Sequence, residues 1–150
     1  MKARMTNPAT VLDATPAIMN LYKAIHSSGA PAPTLELVHL RVSQINGCAP
    51  CVLSGFQTAR KAGESDERLA TVSAWREAPF FTDAERAALA LAESCARPAD
   101  TGDCVPDPVW DDAADHFDEK ELAGIITMIG LTKLFNTLNA ATRQIAGAAW

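Results

Sequence analysis

Apolar side chains recur at spacings of three and four residues along most of this chain, a pattern that is typical of amphipathic α-helices. The first stripe predicts a helix with Thr15 as its N-cap and Pro16 as its first residue, which ends near Ser28. The second predicts a helix over residues 36–44, with Thr34 as its N-cap and Gly47 just beyond its end. Little in the pattern suggests strands.

Further helices are indicated by N-cap residues and by capping boxes, in which Glu follows three residues after Thr or Asp. The helices predicted from these signals cover residues 48–62, 65–75, 83–96, 110–117 and 118–145. We therefore predict an all-α helical bundle of about six to seven helices. It forms one domain over residues 1–150, with residues 1–14 as a flexible N-terminal segment.

Two of the predicted helices carry more apolar surface than one small bundle needs to cover. The last helix has apolar residues around much of its circumference, and the helix over residues 83–96 is rich in alanine. We expect a homo-oligomer with a helical interface, to which Trp150 is a candidate contributor, whereas Trp75 and Trp110 are expected to serve packing.

Composition narrows the classes of partner. The chain has 150 residues, 48% of them hydrophobic, which is enough for one buried core, and a net charge of -5. Its Lys and Arg residues are scattered, so no broad basic surface is available to nucleic acid or to a membrane. The N-terminus lacks an apolar signal region, and no stretch approaches the ~20 apolar residues of a membrane span. We expect a cytoplasmic protein with neither kind of partner.

The motif with the sharpest chemical meaning is Cys48-Ala49-Pro50-Cys51. Two cysteines three residues apart on a helical turn share a face and can form a disulfide with little backbone movement. The positive end of the helix dipole stabilises a thiolate, the form that attacks peroxides and disulfides. A thioredoxin setting is excluded because the motif follows a helix rather than a strand. Reversible dithiol chemistry is the predicted function of this pair.

The alternative use of the cysteines is a structural zinc site, which needs two more ligands. Cys95 and Cys104 stand nine residues apart, a spacing that no standard zinc motif uses, so no metal is expected. Cys95 fits a small buried hydrophobe better than a reactive thiol. Cys104 lies in a predicted loop, and pairing of these two cysteines stays open.

Several segments resemble the AhpD-like alkylhydroperoxidases of the carboxymuconolactone decarboxylase family. The similar segments are Glu36, Leu40–Cys51, Ala59–Glu64, Trp75–Glu77, Phe81–Ala90 and Phe135-Asn136. The resemblance implies an all-α fold, trimeric or hexameric assembly and a proton relay from a glutamate through a histidine to the cysteine pair. It also implies a small hydroperoxide substrate and a thiol or dithiol reductant, with no metal and no organic cofactor.

By position, the resemblance makes Glu36 the relay glutamate, Cys51 the peroxide-attacking cysteine and Cys48 the resolving cysteine. Physical reasoning from the helix dipole favours Cys48 as the reactive one instead, so both stay candidates. The relay histidine is missing, because Gly55 occupies its position four residues after Cys51. A further histidine that some family members place before the second cysteine is here Pro50.

His39 is the candidate replacement for the missing base. It lies three residues after Glu36 on the same predicted helix, so the two side chains can meet and can face the cysteines across the turn. The alternative is that His39 is merely packed or solvated. From Gly55 alone we expect a slow peroxidase at neutral pH, whose rate rises towards the ordinary cysteine pKa of about 8.5 and which a histidine at position 55 would accelerate.

Three functions are compatible with these observations. The favoured one is a thiol-dependent peroxidase, an antioxidant enzyme whose dithiol cycles through a disulfide. The second is a carboxymuconolactone-type decarboxylase, which the cysteine pair disfavours because that branch of the family generally lacks it. The third is a non-catalytic redox-sensing oligomer that has lost the relay histidine. A peroxide-consumption assay and the thiol pKa values discriminate among them.

Overall fold

Eight α-helices and two short 3-10 turns make up the part of the chain that the computed structural model describes, residues 2–148, and no strand occurs there. The helices are α1 (Pro8–Val11), α2 (Thr15–His26), α3 (Ala32–Ile45), α4 (Ala49–Lys61), α5 (Asp66–Ala70), α6 (Asp83–Ala96), α7 (Asp107–His116) and α8 (Glu119–Thr142). The 3-10 turns are Val72–Ala74 and Pro98–Asp100. The predicted all-α fold class is confirmed, and Trp150 lies outside the described residues.

Helix α3 is the centre of the bundle, because it packs against α4, α6 and α8. Its buried residues are Thr34, Leu35, Leu37, Val38, Leu40, Val42 and Ser43. On one side they join a core with α6 and α8, and on the other a smaller core with α4 and the 3-10 turn after α5. Because α3 is packed on both sides, its C-terminal end, which leads into the cysteine motif, is held rigidly.

The alanine-rich helix α6 is used inside the protomer. Ala87, Ala88 and Leu91 on this helix are fully buried. This side of α6 is therefore not surplus apolar surface, contrary to the argument from sequence. Exposed apolar side chains instead occur on α2 and on α8, for example Met19 and Leu134. The homo-oligomer stays a prediction, and α2 and α8 are the faces that would supply its interface.

Several helix starts agree with the sequence-based signals, but those of α2, α3 and α7 do not; α7 begins at Asp107 rather than at Trp110. Ser65 and the two capping boxes cap α5, α6 and α8 as predicted. Thr34 is not an N-cap: α3 already begins at Ala32, with Pro33 in its first turn, where the missing N–H costs nothing. Thr15 is likewise inside α2, after an Ala14 cap position. The expected flexibility of residues 1–14 stays a prediction, although this segment includes α1.

Helix α8 is the longest element, with 24 residues, and it ends at Thr142 rather than near residue 145. Arg143 follows in the left-handed conformation with φ 54°, which closes the helix. The 65–75 helix predicted from the sequence is also shorter, because α5 ends at Ala70 and a 3-10 turn follows. Within residues 2–148, no helix combines the length and the apolar character needed to cross a membrane.

Glu93 on α6 joins three segments of the bundle through its carboxylate. Arg41 Nε of α3 donates to it at 2.7 Å, Trp75 Nε1 at 3.0 Å and Arg76 Nη1 at 2.6 Å. Burial raises the pKa of Glu93, but the hydrogen bonds from Arg76, Trp75 and Arg41 outweigh it and lower that pKa overall. Through these hydrogen bonds, α3 and the segment after the first 3-10 turn are held against α6. Arg41, Trp75 and Arg76, which lie in the family-like segments, thus have a structural role.

Candidate functional site

The cysteine pair lies at the junction between α3 and α4. Gly47 takes the left-handed conformation with φ 65° and stops α3, so that Cys48 is the N-cap of α4 and Cys51 lies in its first turn. The two cysteines form a disulfide with a Cα–Cα distance of 5.3 Å. Both are buried, with 2% and 4% of their surface exposed. The predicted adjacency of Cys48 and Cys51 on one helical turn is thus observed.

A buried amide network fixes the junction against α8. Asn46 Nδ2 donates to Asn136 Oδ1 at 3.0 Å, and Asn136 Nδ2 donates to Ser43 Oγ at 3.2 Å. Asn136 is therefore satisfied on both sides of its amide group and ties the last turn of α3 to the middle of α8. The consequence is that the cysteine pair cannot shift relative to α8 without breaking buried hydrogen bonds.

Asn139, one turn further along α8, contacts the sulfur atoms themselves. Its Nδ2 lies 3.3 Å from Cys51 Sγ and 3.6 Å from Cys48 Sγ, and its side chain is 2% exposed. An amide N–H aimed at a buried sulfur stabilises negative charge there, so it favours the thiolate of Cys51. Sequence reasoning missed Asn139, because it lies 88 residues from Cys51 and no local pattern connects them.

The orientation of the Asn139 amide is determined by Asn7 at the start of the chain. Asn7 Oδ1 accepts from the Ala9 N–H as the N-cap of α1, so Asn7 Nδ2 must be the group that faces Asn139. That Nδ2 donates to Asn139 Oδ1 at 3.1 Å. With its oxygen thus engaged, Asn139 presents its Nδ2 to the sulfurs. The N-terminal segment therefore takes part in the arrangement of the site.

His39 reaches the cysteine motif from α3, as the sequence-based alternative proposed. Its Nε2 lies 3.3 Å from the carbonyl oxygen of Cys51, and its Nδ1 lies 3.2 Å from Thr132 Oγ1 on α8. The carbonyl can only accept, so Nε2 is the nitrogen that donates in this contact. Burial lowers the pKa of His39, which the negative charge of Glu36 and the Cys51 carbonyl oppose only in part. The ring is therefore neutral near pH 7 and able to accept a proton.

Gly55 is the position at which family resemblance expects a histidine, and its missing side chain leaves room for His39. A Cβ atom built on Gly55 would lie 2.8 Å from His39 Cδ2 and 3.3 Å from His39 Nε2. Such distances are shorter than van der Waals contact. The imidazole of His39 thus fills the space over Gly55, one helical turn after Cys51. A histidine at position 55 would therefore have to displace the ring of His39, and the expectation that it accelerates the reaction stays a prediction, against which this contact argues.

Glu36 lies one turn before His39 and completes the group of polar side chains. Tyr22 Oη on α2 donates to Glu36 Oε1 at 3.1 Å. Burial, together with the charge of Glu36 and the hydrogen bond to it, raises the pKa of Tyr22 to about 12. The phenol therefore stays protonated and keeps donating to the carboxylate across the physiological pH range. All four predicted site residues, Cys48, Cys51, Glu36 and His39, meet at the junction of α3, α4 and α8.

A cavity of about 370 Å³ opens over Cys51. Glu36, His39 and Cys51 line it together with Asn139, and the remaining wall is largely apolar, formed by side chains such as Met128, Leu131 and Phe135. Its size suits a small molecule. Since Cys48 does not line this cavity, a molecule inside it meets Cys51.

The other cysteines and histidines lie outside this group. Cys95 and Cys104 are unbonded, and burial, with a smaller effect of Cys104, raises the pKa of Cys95, which disfavours its reactive thiolate. His26 stacks on Tyr22 at the end of α2, and His116 lies near Asp112 on α7. Among residues 2–148, no group of three or more His, Cys, Asp or Glu side chains is placed to hold a metal ion.

Comparison with known proteins places this geometry in a family. The profile of the carboxymuconolactone decarboxylase family matches residues 13–94. The uncharacterised protein YdfG of Bacillus subtilis (strain 168) is 32% identical over 124 residues, which are 83% of this chain and 83% of YdfG. The uncharacterised protein YnjA of Escherichia coli (strain K12) is 37% identical over 112 residues, which are 71% of this chain and 57% of YnjA.

Solved structures share the fold. A protein of unknown function from Agrobacterium tumefaciens, a candidate antioxidant defence protein AhpD, matches with a TM-score of 0.88 and 32% identity, over 99% of this chain and 100% of that one. The debrominase Bmp8 without ligand matches with a TM-score of 0.81 and 22% identity, over 93% of this chain and 74% of that one. At the latter identity the similarity concerns the fold alone.

Proposed function

The chain belongs to the carboxymuconolactone decarboxylase family, and from this premise we propose that it is a thiol-dependent peroxidase whose Cys48–Cys51 dithiol cycles through a disulfide. The observation that carries the proposal is the placement of Cys51 in the wall of an apolar cavity beside Glu36 and His39, with its sulfur bonded to Cys48. A nucleophile, a base and a resolving thiol are thus adjacent.

In the first step, the thiolate of Cys51 attacks the outer oxygen of a hydroperoxide in the cavity. The O–O bond breaks, Cys51 becomes a sulfenic acid, and the alkoxide leaves as an alcohol after taking up a proton. Asn139 Nδ2, 3.3 Å from Cys51 Sγ, stabilises the attacking thiolate. The apolar wall of the cavity favours the organic part of the substrate over water.

The proton of the Cys51 thiol is taken up by His39 in this account. His39 is neutral near pH 7 because burial lowers its pKa, and since its Nε2 already carries the proton that it donates to the Cys51 carbonyl, the nitrogen that accepts is Nδ1. Nδ1 contacts Thr132 Oγ1, which lines the same cavity as Cys51, so a water molecule and the Thr132 hydroxyl together can pass the proton from Cys51 to Nδ1. Glu36, whose charge favours the protonated ring, stabilises the imidazolium that forms. The same imidazolium then supplies the proton that the leaving alkoxide needs. His39 thus serves as the base that the family places at position 55, where this chain has glycine.

In the second step, the thiol of Cys48 attacks the sulfenic acid of Cys51, a disulfide forms and water leaves. This step requires the two sulfurs to meet without unfolding of the helix, and the bonded pair in the structure supports that requirement. An external thiol then returns the disulfide to the dithiol, and the cycle closes. Asn139 favours Cys51 over Cys48 as the attacking cysteine, since its amide is nearer to Cys51 Sγ.

The proposal is tested by mixing the reduced protein with cumene hydroperoxide at pH 7 and following peroxide loss and thiol loss together. One equivalent of peroxide should consume two thiols, both from the Cys48–Cys51 pair, because the pair ends as a disulfide. Cys51→Ser should abolish the reaction. Cys95→Ser is the matched control: it also removes one thiol, yet Cys95 does not line the cavity, so peroxide loss should be unchanged.

Loss of peroxide at the same rate in Cys51→Ser as in the wild type would refute the proposal. A protein whose Cys48–Cys51 pair is oxidised by disulfides but is inert to hydroperoxides would instead be a redox sensor or a dithiol oxidoreductase. Release of carbon dioxide from a γ-carboxylactone, retained in the absence of both cysteines, would favour the decarboxylase alternative.

A further inference from the structure

A second cavity, of about 490 Å³, opens on Cys48 from the other side of the cysteine pair. Cys48 lines this cavity and Cys51 does not, whereas Cys51 lines the cavity that contains Glu36 and His39 and Cys48 does not. Asn139 and Pro50 line both cavities. The disulfide therefore lies between the two cavities, and each cavity gives access to a different cysteine.

The second cavity is lined by cationic and not by acidic side chains, although the whole chain has a net charge of -5. Its lining residues, all within the described part of the chain, include Lys2 and Arg143 and no Asp or Glu. The N-terminus of α4 also faces it, through Cys48 and Ala49, and Cys48 makes no side-chain capping bond. The uncapped N–H groups and the dipole of α4 add positive potential to the two cationic side chains. The C-terminal end of α8, which also lines the cavity, has the opposite dipole, but the carbonyl groups of Asn139 and Ala140 there already accept from the N–H groups of Gln144 and Arg143.

We infer that this second cavity is the binding site of the reductant, a small anionic thiol that attacks Cys48. The inference rests on the dithiol chemistry of the proposed function and names the partner that reduces the disulfide. A carboxylate on the thiol matches Lys2, Arg143 and the start of α4, and the cavity volume suits a small molecule rather than a bare ion.

The geometry of thiol–disulfide exchange explains why the reductant would bind in the second cavity and the peroxide in the first. A thiolate attacks a disulfide along the line of the S–S bond, so that a nucleophile in the second cavity reaches Cys48 and expels Cys51. The Cys48–Cys51 bond breaks as the bond between the reductant and Cys48 forms, and its electron pair leaves on Cys51 as a thiolate. Asn139 donates to that leaving sulfur at 3.3 Å. The expelled group is thus the thiolate that attacks the next peroxide.

A second molecule of the thiol completes the cycle. Its thiolate attacks the sulfur of the first reductant in the mixed disulfide, a disulfide of two reductant molecules leaves, and the thiolate of Cys48 takes a proton from solvent. Two thiols are oxidised for each protein disulfide that is reduced, so electrons balance without any further reactant. Peroxide and reductant do not compete for one cavity in this scheme.

The test starts from protein whose Cys48–Cys51 disulfide has been formed with diamide, so that no peroxide is involved. Reduction is timed with 3-mercaptopropionate, which is anionic, with 2-mercaptoethanol, which is neutral, and with cysteamine, which is cationic. Each rate constant is expressed per thiolate and divided by the rate of the same thiol with bis(2-hydroxyethyl) disulfide. We expect a preference for 3-mercaptopropionate over 2-mercaptoethanol on the order of 10-fold at low salt, weaker at high salt.

The variant Lys2→Gln/Arg143→Asn removes both cations, and asparagine tolerates the left-handed backbone at position 143. The ratio of the two rate constants should fall towards one. The control variant Lys61→Gln/Lys120→Gln removes the same charge from exposed lysines that do not line either cavity, and should keep the wild-type ratio. Fragmentation of the trapped mixed disulfide should place 3-mercaptopropionate on Cys48.

An equal ratio in the wild type and in Lys2→Gln/Arg143→Asn would overturn the inference, as would a first adduct on Cys51. Both outcomes are independent of whether the protein reduces peroxides. A protein that shows the anionic preference at Cys48 but does not react with hydroperoxide would refute the proposed function and leave this site in place.

Discussion

The imidazole of His39 lies over Gly55, so close that a Cβ at position 55 would be 2.8 Å from His39 Cδ2. His39 belongs to α3 and Gly55 to α4, and the ring of His39 can occupy its place only because residue 55 has no side chain. A histidine one turn after Cys51 and a histidine at position 39 are thus two alternative ways to fill the same volume. The absence of the first is the condition for the second.

This relationship predicts that a side chain at position 55 lowers activity. Gly55→Ala should displace the ring of His39 and reduce the rate of peroxide reduction at pH 7 by on the order of 10-fold or more, even though alanine is the better helix former by up to ~1 kcal/mol. Gly55→His alone should also be slower than the wild type. The rates are measured on the reduced proteins, together with their thermal unfolding.

Exchange of the two positions gives a sharper form of the same prediction. In the variant His39→Ala/Gly55→His, the new imidazole finds the volume that His39 has vacated, and it should recover part of the activity that His39→Ala has lost. His39→Ala/Gly55→Ala is the control, and it should recover none. If Gly55→His is equally harmful with and without His39, the two side chains do not share one role.

The pH dependence of the wild-type rate shows whether the thiolate of Cys51 forms by proton transfer to His39 or by ionisation of the thiol at its own pKa. Because burial lowers the pKa of His39 below its ordinary 6.5, the ring is a base throughout the neutral range, and the rate should level off near pH 7. His39→Gln should lose about 10²–10⁴-fold at pH 7 and should climb towards the thiol pKa of about 8.5. A wild type that itself climbs up to this pKa would show that His39 does not serve Cys51.

The same lowered pKa has a consequence for stability. Since the folded state holds His39 neutral, the unfolded state binds more protons as pH falls below 6.5, and the folded protein loses stability there. His39→Gln should weaken the fall in unfolding free energy between pH 7 and pH 5. Urea unfolding at the two pH values checks this. An unchanged difference would mean that His39 titrates alike in both states.

The orientation of Asn139 can be tested without removing it. Asn7→Asp keeps the N-cap of α1, since aspartate caps as well as asparagine, but it cannot donate to Asn139 Oδ1. Asn139 is then free to turn its Nδ2 towards the carboxylate and its oxygen towards the sulfurs. We expect the pKa of Cys51 in the reduced protein to rise by about one unit, measured by thiolate absorbance at several pH values.

Asn7→Ser is the control for this variant, because serine also caps α1 but brings no charge towards Asn139. It should raise the pKa of Cys51 less than Asn7→Asp does. Equal thiol pKa values in the wild type and in Asn7→Asp would contradict the role of Asn7 as a positioning residue.

Glu93 provides a prediction about the fold. Its lowered carboxyl pKa means that its contribution to stability is present above the ordinary value of 4.5 and is lost as pH falls through the lowered one. Glu93→Gln should destabilise the protein by about 1–3 kcal/mol at pH 7, since the charged hydrogen bonds of Arg41 and Arg76 are weakened. The difference from the wild type should shrink as the pH falls below 4.5. A constant difference would assign the effect to packing.

Local signals in the sequence were sufficient for the parts of the site that one turn of helix brings together. The spacing of Cys48 and Cys51 predicts their pairing, the capping box at Thr82 predicts the start of α6, and Gly47 predicts the end of α3. Each of these depends on residues that are neighbours in the chain, so elementary helix geometry determines them.

The remaining parts depend on contacts between residues far apart in the chain. Asn139 meets Cys51 across 88 residues and Asn7 meets Asn139 across 132, and neither contact leaves a trace in local periodicity. His39 stayed an open alternative, because only the crossing of α3 and α4 shows that its ring lies over Gly55. The missing relay histidine was visible in the sequence, but what fills its place was not.

The most direct test of the whole account is to identify the atom that peroxide oxidises. Reduced Cys48→Ser lacks the resolving thiol, so the sulfenic acid of Cys51 should persist and be labelled by dimedone after one equivalent of cumene hydroperoxide at pH 7. Mass mapping should find the label on Cys51, with Cys95 and Cys104 largely unmodified. Absence of label from Cys51, or equal labelling of all three cysteines, would contradict the assignment of Cys51 as a peroxide-attacking thiolate.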